Sequence, residues 1–267
     1  MPVTEPERPP ITNEEFKQTL LGTHPDLVRT RRVMRHLPSD PRCKVCLAPQ
    51  GGIGGPIVQA FGFGRYPRNP QLCNNCYRQA VRHPGGAELE ISVVFADVRG
   101  STGLAERVGP VEFSRLLDGF YRAASTAVRR PGGVVDRLLG DGIMALFIPG
   151  FVPGGDHAGA AVTAAREVLG AVDLPVGAGA HTGEAWVGFV GGENEILEFT
   201  ALGDAVNTAS RMGSAASAGE LLISDTAARG SRTPTESLEG RRLELRGRVE
   251  PLDAWAEQVA PAPTPAG

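Results

Sequence analysis

Val93-Val94-Phe95-Ala96-Asp97-Val98-Arg99-Gly100-Ser101-Thr102 decides how this chain reads. A run of apolar and β-branched residues ends in an aspartate, then in a small-residue turn: a strand handing over to a helix. Further on, Leu139-Gly140-Asp141-Gly142 lies between two more apolar runs, 134–139 and 142–148, which reads as a hairpin with a second aspartate at its tip. Two carboxylates at neighbouring strand ends can hold one or two divalent metals between them. A Gly-Ser-Thr turn at a helix start offers backbone N–H groups to phosphate. Together these features point to chemistry on a nucleoside triphosphate.

The chain has 267 residues, enough for one large domain or a medium domain beside a small one. Its 27 basic and 30 acidic residues leave a net charge of -3, so bulk charge selects no partner and gives no footprint for nucleic acid. No apolar run reaches the ~18 residues of a membrane span. Met1-Pro2-Val3-Thr4-Glu5-Pro6 lacks the basic-then-apolar order of a secretory signal, so a cytoplasmic location is expected. All four cysteines fall into two pairs, Cys43-x-x-Cys46 and Cys73-x-x-Cys76. In a reducing compartment that pattern favours metal binding over disulfides.

Outward from the opening motif, the regular pattern begins at Leu89. A strand is expected at 89–97 and a helix at 110–130, where Val111, Phe113, Leu116, Leu117, Phe120, Tyr121 and Ala124 recur near helical spacing. Next come the hairpin, a helix at 156–171, strands near 175–182 and 184–190, a strand at 194–200, and a helix at 204–217. Strands at 220–223, 241–246 and 250–256 close the domain. Alternating strands and helices with tight hairpins predict an α+β domain, a mixed sheet covered by helices. Upstream, Thr12-Asn13-Glu14-Glu15 has the form of a capping box and predicts a helix from Asn13 to about Leu21. A second helix is expected over Pro25–Leu37; its Arg29, Arg31, Arg32 and Arg35 read as a solvated face. The expected divisions are an N-terminal arm with short helices (1–40), a four-cysteine metal-binding module (41–83), a catalytic domain (88–257) and an unstructured tail (258–267).

Four segments, Val93–Thr102, Gly133–Phe147, Val176–Gly192 and Phe199–Met212, occur in the order in which they resemble the catalytic domain of class III nucleotidyl cyclases, and the similarity covers 89–257. The resemblance implies a ferredoxin-like, palm-type fold. It also implies conversion of a nucleoside triphosphate to a 3′,5′-cyclic monophosphate and pyrophosphate by head-to-tail homodimers with active sites at the interface. On that pattern Asp97, Asp141 and the Val98 backbone hold two Mg²⁺ or Mn²⁺ ions. The turn formed by Val98, Arg99, Gly100, Ser101 and Thr102 binds phosphate through its backbone, with the Arg99 side chain read as solvent-facing. Asn207 and Arg211 lie four apart, on one helix face; in the family they orient the ribose and stabilise charge in the transition state. Arg246 stands where relatives carry a phosphate-contacting lysine, and Arg248 is its neighbour.

Two positions read the base in the family, and here they are Arg137 and Thr200. Thr200 can accept from the adenine amine, and the donor-only Arg137 can donate to adenine N1. ATP is therefore the expected substrate. A relaxed or GTP preference, or a nucleotide-binding regulatory protein of the same fold, are the alternatives. Asp136 should point to the opposite strand face from Arg137. His181 reads as a structural strand residue and His157 as a surface residue. The two cysteine pairs, separated by 26 intervening residues, suit a closed structural Zn²⁺ site, with an iron–sulfur cluster as the alternative occupant.

Overall fold

The computed structural model describes residues 13–37, 41–67, 71–82, 85–190, 198–245 and 250–260, and the chain divides into two units, one of Met1–Glu88 with Val187–Thr200 and one of Leu89–Trp186 with Ala201–Gly267. The expected arm before residue 13, Arg246, Arg248 and the tail from 261 lie outside the described residues.

The first unit carries α1 (Asn13–Leu21), α2 (Pro25–Met34), α3 (Gly54–Gln59) and α4 (Asn74–Arg82). α3 begins inside the glycine-rich stretch, at Gly54 and Gly55, and runs for six residues; glycine is a poor helix former. The core of the unit is small: Leu27, Cys43, Cys46, Ala48, Leu72 and Cys73 are buried together, with Phe63, Tyr77 and Phe189 packed against them. Phe189 also meets Phe16 edge-on at 6.3 Å and Phe199 at 5.0 Å. Such contacts suit rings with a negative face and positive edge.

The remaining elements are β1 (Gly86–Val98), α5 (Ser101–Val108), α6 (Pro110–Arg129), β2 (Val134–Leu138), β3 (Gly142–Phe147), α7 (His157–Gly170), β4 (Val176–Val190), β5 (Glu198–Leu202), α8 (Asp204–Ala215), β6 (Glu220–Ser224), α9 (Asp225–Ser231), β7 (Glu239–Leu243) and β8 (Leu252–Gln258). They build an eight-stranded sheet in the order β2-β3-β1-β4-β6-β8-β7, with β5 paired to β4. β1 runs antiparallel to β3, while β4 and β6 are parallel, so the sheet is mixed as the sequence pattern implies.

Alternation along β1 sorts its side chains between two faces. Val94, Ala96 and Val98 enter the main core with Phe120, Ala124 and Val128 of α6 and a row of alanines from α7. Phe95 and Asp97 belong to the other face, where α8 lies. There the helix meets the sheet backbone to backbone. A Cβ on Gly179 of β4 would sit 2.4 Å from the Gly213 nitrogen, and one on Gly213 of α8 would sit 2.8 Å from Phe95 Cβ. Two facing glycines thus seat α8 directly over the strands β1 and β4.

The expected strands 175–182 and 184–190 form one continuous strand, β4. Gly183 is not a turn; it makes room for a neighbour, since a Cβ there would stand 3.3 Å from Ala205 Cβ of α8. Three short helices, α3, α4 and α9, are not legible in the sequence. The first turn of α9 is fixed by Ser224, whose hydroxyl accepts from the Ala227 N–H at 3.2 Å.

Candidate active site and the four-cysteine cluster

Antiparallel pairing of β1 with β3 puts Asp97 opposite Gly142, the residue after Asp141. The Val98 N–H donates to the Asp141 carbonyl at 3.0 Å, which ties the strand end to the hairpin tip. A Cβ at Gly142 would approach the Ala96 carbonyl oxygen to 2.8 Å and Asp97 Oδ1 to 3.1 Å, so only glycine lets the two segments close. Tyr121 of α6 donates its hydroxyl to the Gly140 carbonyl and holds the tip from the other side.

The two carboxyls meet as a result. Asp97 lies within hydrogen-bonding reach of Asp141; burial raises its pKa, the Arg99 guanidinium opposes that rise, and the Asp141 charge adds to it. Two like charges brought together in a half-buried place call for a cation. The oxygen donors are hard and fit Mg²⁺ or Mn²⁺. The turn that follows is built for backbone donation. Gly100 takes the left-handed conformation (φ 65°), which frees the first N–H groups of α5 from any side-chain cap. Ser101 spends its hydroxyl on an Asp141 carboxylate oxygen.

Arg99 corrects the sequence reading. Its side chain is not solvent-facing: it is only 23% exposed, with Nη2 on Asp97 Oδ2 at 2.6 Å and Nη1 donating to the Ser214 carbonyl at 2.9 Å. The guanidinium follows Asp97 onto the α8 face because that carboxylate is the nearest countercharge.

A second correction concerns Asp136. The β2–β3 register shifts between Val135 and Arg137. This irregularity cancels the alternation that would have put Asp136 and Arg137 on opposite faces. The Arg137 Nε donates to Asp136 Oδ2 at 2.9 Å, and the Asp136 side chain is 1% exposed against 43% for Arg137. Thr200 is buried on β5. On α8, Asn207 is exposed and Arg211 half-buried, four residues apart on one face.

His181 is buried on β4, as a structural strand residue would be. His157 departs from its surface reading: its side chain is 14% exposed, and Nδ1 stands 2.9 Å from the hydroxyl of the fully buried Ser92.

In the first unit the four sulfurs lie within 4.8 Å of one another, and Cys46 and Cys73 are 3.6 Å apart. Four ligands at ~2.3 Å from one zinc ion would stand about 3.8 Å apart, so the cluster has the dimensions of a tetrahedral thiolate centre. The loop after Cys43 turns tightly: Leu47 adopts φ 60°, and its N–H donates to the Cys43 carbonyl at 2.9 Å. Backbone N–H groups also point at sulfur, from Cys73 to Cys43 Sγ (3.3 Å) and from Cys76 to Cys73 Sγ (3.4 Å). Such donors favour thiolate over thiol. The sequence did not single out Arg31 here, yet its Nε donates to the Val45 carbonyl inside the first Cys-x-x-Cys loop at 2.7 Å.

Comparison with known proteins gives the class. The model of the adenylate and guanylate cyclase catalytic domain matches residues 87–255, more than half of the chain, and the chain belongs to that family. It is 35% identical over 133 residues to an adenylate cyclase of Anabaena cylindrica, which is 46% of this chain and 26% of that one. It is 32% identical over 178 residues to an uncharacterized protein of Mycobacterium tuberculosis, 63% of this chain and 32% of that one. The chain therefore spans about a quarter to a third of the length of these curated relatives. Among solved structures, the guanylyl cyclase Cya2 matches with a TM-score of 0.57 at 28% identity, covering 68% of this chain and 98% of that one. The adenylyl cyclase CyaB from P. aeruginosa matches at 0.57 and 25%, covering 68% and 99%. Among the described residues no helix is long and apolar enough to cross a membrane.

Proposed function

We propose that this chain is an adenylate cyclase, converting ATP to 3′,5′-cyclic AMP and pyrophosphate at the interface of a head-to-tail homodimer. The observation that carries this reading is the meeting of Asp97 and Asp141 beside the left-handed Gly100 turn. Mg²⁺ or Mn²⁺ held there would activate the ribose 3′-hydroxyl and offset phosphate charge. The ribose 3′-oxygen then bonds to the α-phosphorus, the bond to the bridging oxygen breaks, pyrophosphate leaves, and the hydroxyl proton passes to solvent. The backbone N–H groups of Gly100, Ser101 and Thr102 would hold the terminal phosphates; those of Val98 and Arg99 are already spent on the Asp141 and Pro175 carbonyls. Asn207 orients the ribose, and the always-charged Arg211 answers the negative charge that grows at the α-phosphate. Arg246 would add a further phosphate contact.

Large apolar side chains stand exposed on the second unit at Val111 (68%), Leu138 (52%) and Leu202 (50%). They support a dimer that covers them. Fold similarity is equal to an adenylyl and a guanylyl cyclase. Base choice therefore rests on side chains. Arg137 offers only donors and Thr200 can accept, the complement of adenine N1 and its 6-amine. Guanine reverses both demands, and each mismatch costs about 1–3 kcal/mol. A second reading, a GTP preference, follows from Asp136: its buried carboxylate takes the Arg137 Nε, so it would act on the base through the arginine it orients rather than by direct contact. The test is kcat/KM for ATP and GTP in the full-length protein and in Arg137→Lys and Asp136→Asn. The adenine reading requires ATP preferred by about tenfold or more, widened in Arg137→Lys. Comparable values, or a GTP activity lost in Asp136→Asn, would favour the second reading.

The cysteine module holds a structural Zn²⁺ ion in this proposal, because so small a core needs a staple. Metal analysis should give one zinc per chain and no visible colour. A brown protein with stoichiometric iron would assign an iron–sulfur cluster instead.

A further inference from the structure

The helix α2 and the residue after it carry four arginines, and three of them behave as a solvated face. Arg29 pairs loosely with Asp26 at 3.7 Å with both side chains about four-fifths exposed, and Arg32 and Arg35 are exposed. Arg31 turns the other way. One helical turn after Leu27, which is buried with Cys43, Cys46 and Cys73, it reaches into the loop between the first two cysteines. Its Nε is satisfied by the Val45 carbonyl, but its Nη2 is buried with no hydrogen-bond partner among the described residues. A buried, unanswered guanidinium nitrogen is costly. Burial lowers the Arg31 pKa, and the charges of Cys46, Cys43 and Cys76 oppose that in turn.

We propose that Arg31 is the countercharge of the four-cysteine centre, a positioning residue that makes four buried thiolates tolerable and sets how tightly they hold a divalent ion. The inference rests on the metal-centre reading given above. A divalent ion bound by four thiolates leaves two negative charges uncompensated in a buried place. The Arg31 guanidinium cancels one of them without occupying a ligand position. Its hydrogen bond to Val45 fixes the cation to the same loop that carries Cys43 and Cys46, so the charge and its ligands move together. Arginine fits the position chemically. It stays ionised when buried, and its planar fork can serve a carbonyl with one edge and face sulfur with the other.

The experiment is a competition titration of the full-length protein with Zn²⁺ against a chromogenic chelator, comparing Arg31→Gln, Arg31→Lys and the exposed control Arg32→Gln. Glutamine keeps a donor for the Val45 carbonyl and loses the charge; lysine keeps the charge and loses the fork. The proposal expects zinc affinity to fall about 10- to 100-fold in Arg31→Gln, to fall less in Arg31→Lys, and to be unchanged in Arg32→Gln. It also expects the Co²⁺-substituted spectra of all four proteins to keep the same tetrahedral thiolate bands, since the ligands are intact. Equal affinity in all proteins, or a glutamine variant that binds as tightly as the lysine variant or more so, would overturn the assignment of the countercharge. An unaltered protein that takes up neither Zn²⁺ nor Co²⁺ would instead refute the metal-centre reading, a result distinguishable from failure of the Arg31 assignment alone.

Discussion

Gly213→Ala is the substitution that probes most sharply how the fold positions the site. The added methyl would lie 2.8 Å from Phe95 Cβ and 3.2 Å from the Phe95 carbonyl oxygen. Ordinary carbon contacts are about 3.5–4.0 Å, so the methyl arrives about 1 Å too close. Neither opposing atom can rotate away, because both are fixed by the β1 backbone. Helix α8 must lift, and Asn207 and Arg211 lift with it. Alanine has the better helix propensity by about 1 kcal/mol, but overpacking costs about 1–3 kcal/mol. The clash wins, and a net loss of about 1 kcal/mol is expected. Catalysis should suffer more than stability, since a misplacement of about 1 Å costs on the order of 100-fold. The assay pairs urea unfolding with kcat for cyclic nucleotide formation. Ser214→Ala serves as control, being an exposed neighbour on the same helix. A Gly213→Ala protein as stable as the original, with kcat within about threefold of it, would refute the reasoning about α8.

Asp97→Ala and Arg211→Ala should each be inactive alone, yet recover activity when mixed, because the heterodimer contains one intact site; no recovery despite demonstrated subunit exchange would count against a shared site. His157 should make stability fall on acidification. Burial lowers its pKa, opposed by Glu90 and Asp156, so the unfolded chain takes up the proton first. Stability contributed by the neutral imidazole is present above the ordinary value of about 6.5 and is lost as pH falls through it. Urea midpoints at pH 7.5 and 5.5 should therefore differ more in the unaltered protein than in His157→Gln, and equal differences would exclude this role. Treatment with a strong chelator, or Cys43→Ser, should open residues 41–67 to proteolysis while β1–β3 stay protected; unchanged cleavage would deny the cysteines a structural part.

Much of the architecture is legible because its signals are local. The strand ending in Asp97, the Gly140-Asp141 hairpin and the periodic stretch of α6 each announce themselves within a few residues. The misreadings share a different cause. Arg99 and Arg31 read as solvated side chains because their partners, Asp97 with the Ser214 carbonyl in one case and the cysteine cluster in the other, are supplied by tertiary packing. Asp136 reads onto the wrong face because strict alternation ignores bulges, and Val-Asp-Arg carries no glycine or proline to mark one. Gly183 reads as a strand break, when its meaning is the approach of Ala205. In each case the residue type is informative, but its neighbour across the fold decides what it does.

The most direct measurement is product analysis. Purified protein is incubated with ATP or GTP and with Mn²⁺ or Mg²⁺, and the reaction is resolved for 3′,5′-cyclic nucleotide and pyrophosphate, beside Asp97→Ala and Asp141→Ala. Cyclic AMP and pyrophosphate are expected in equal amounts, with neither formed by the aspartate variants. Cyclic product undiminished in those variants, or no cyclic nucleotide from either substrate with either metal, would contradict the cyclase assignment.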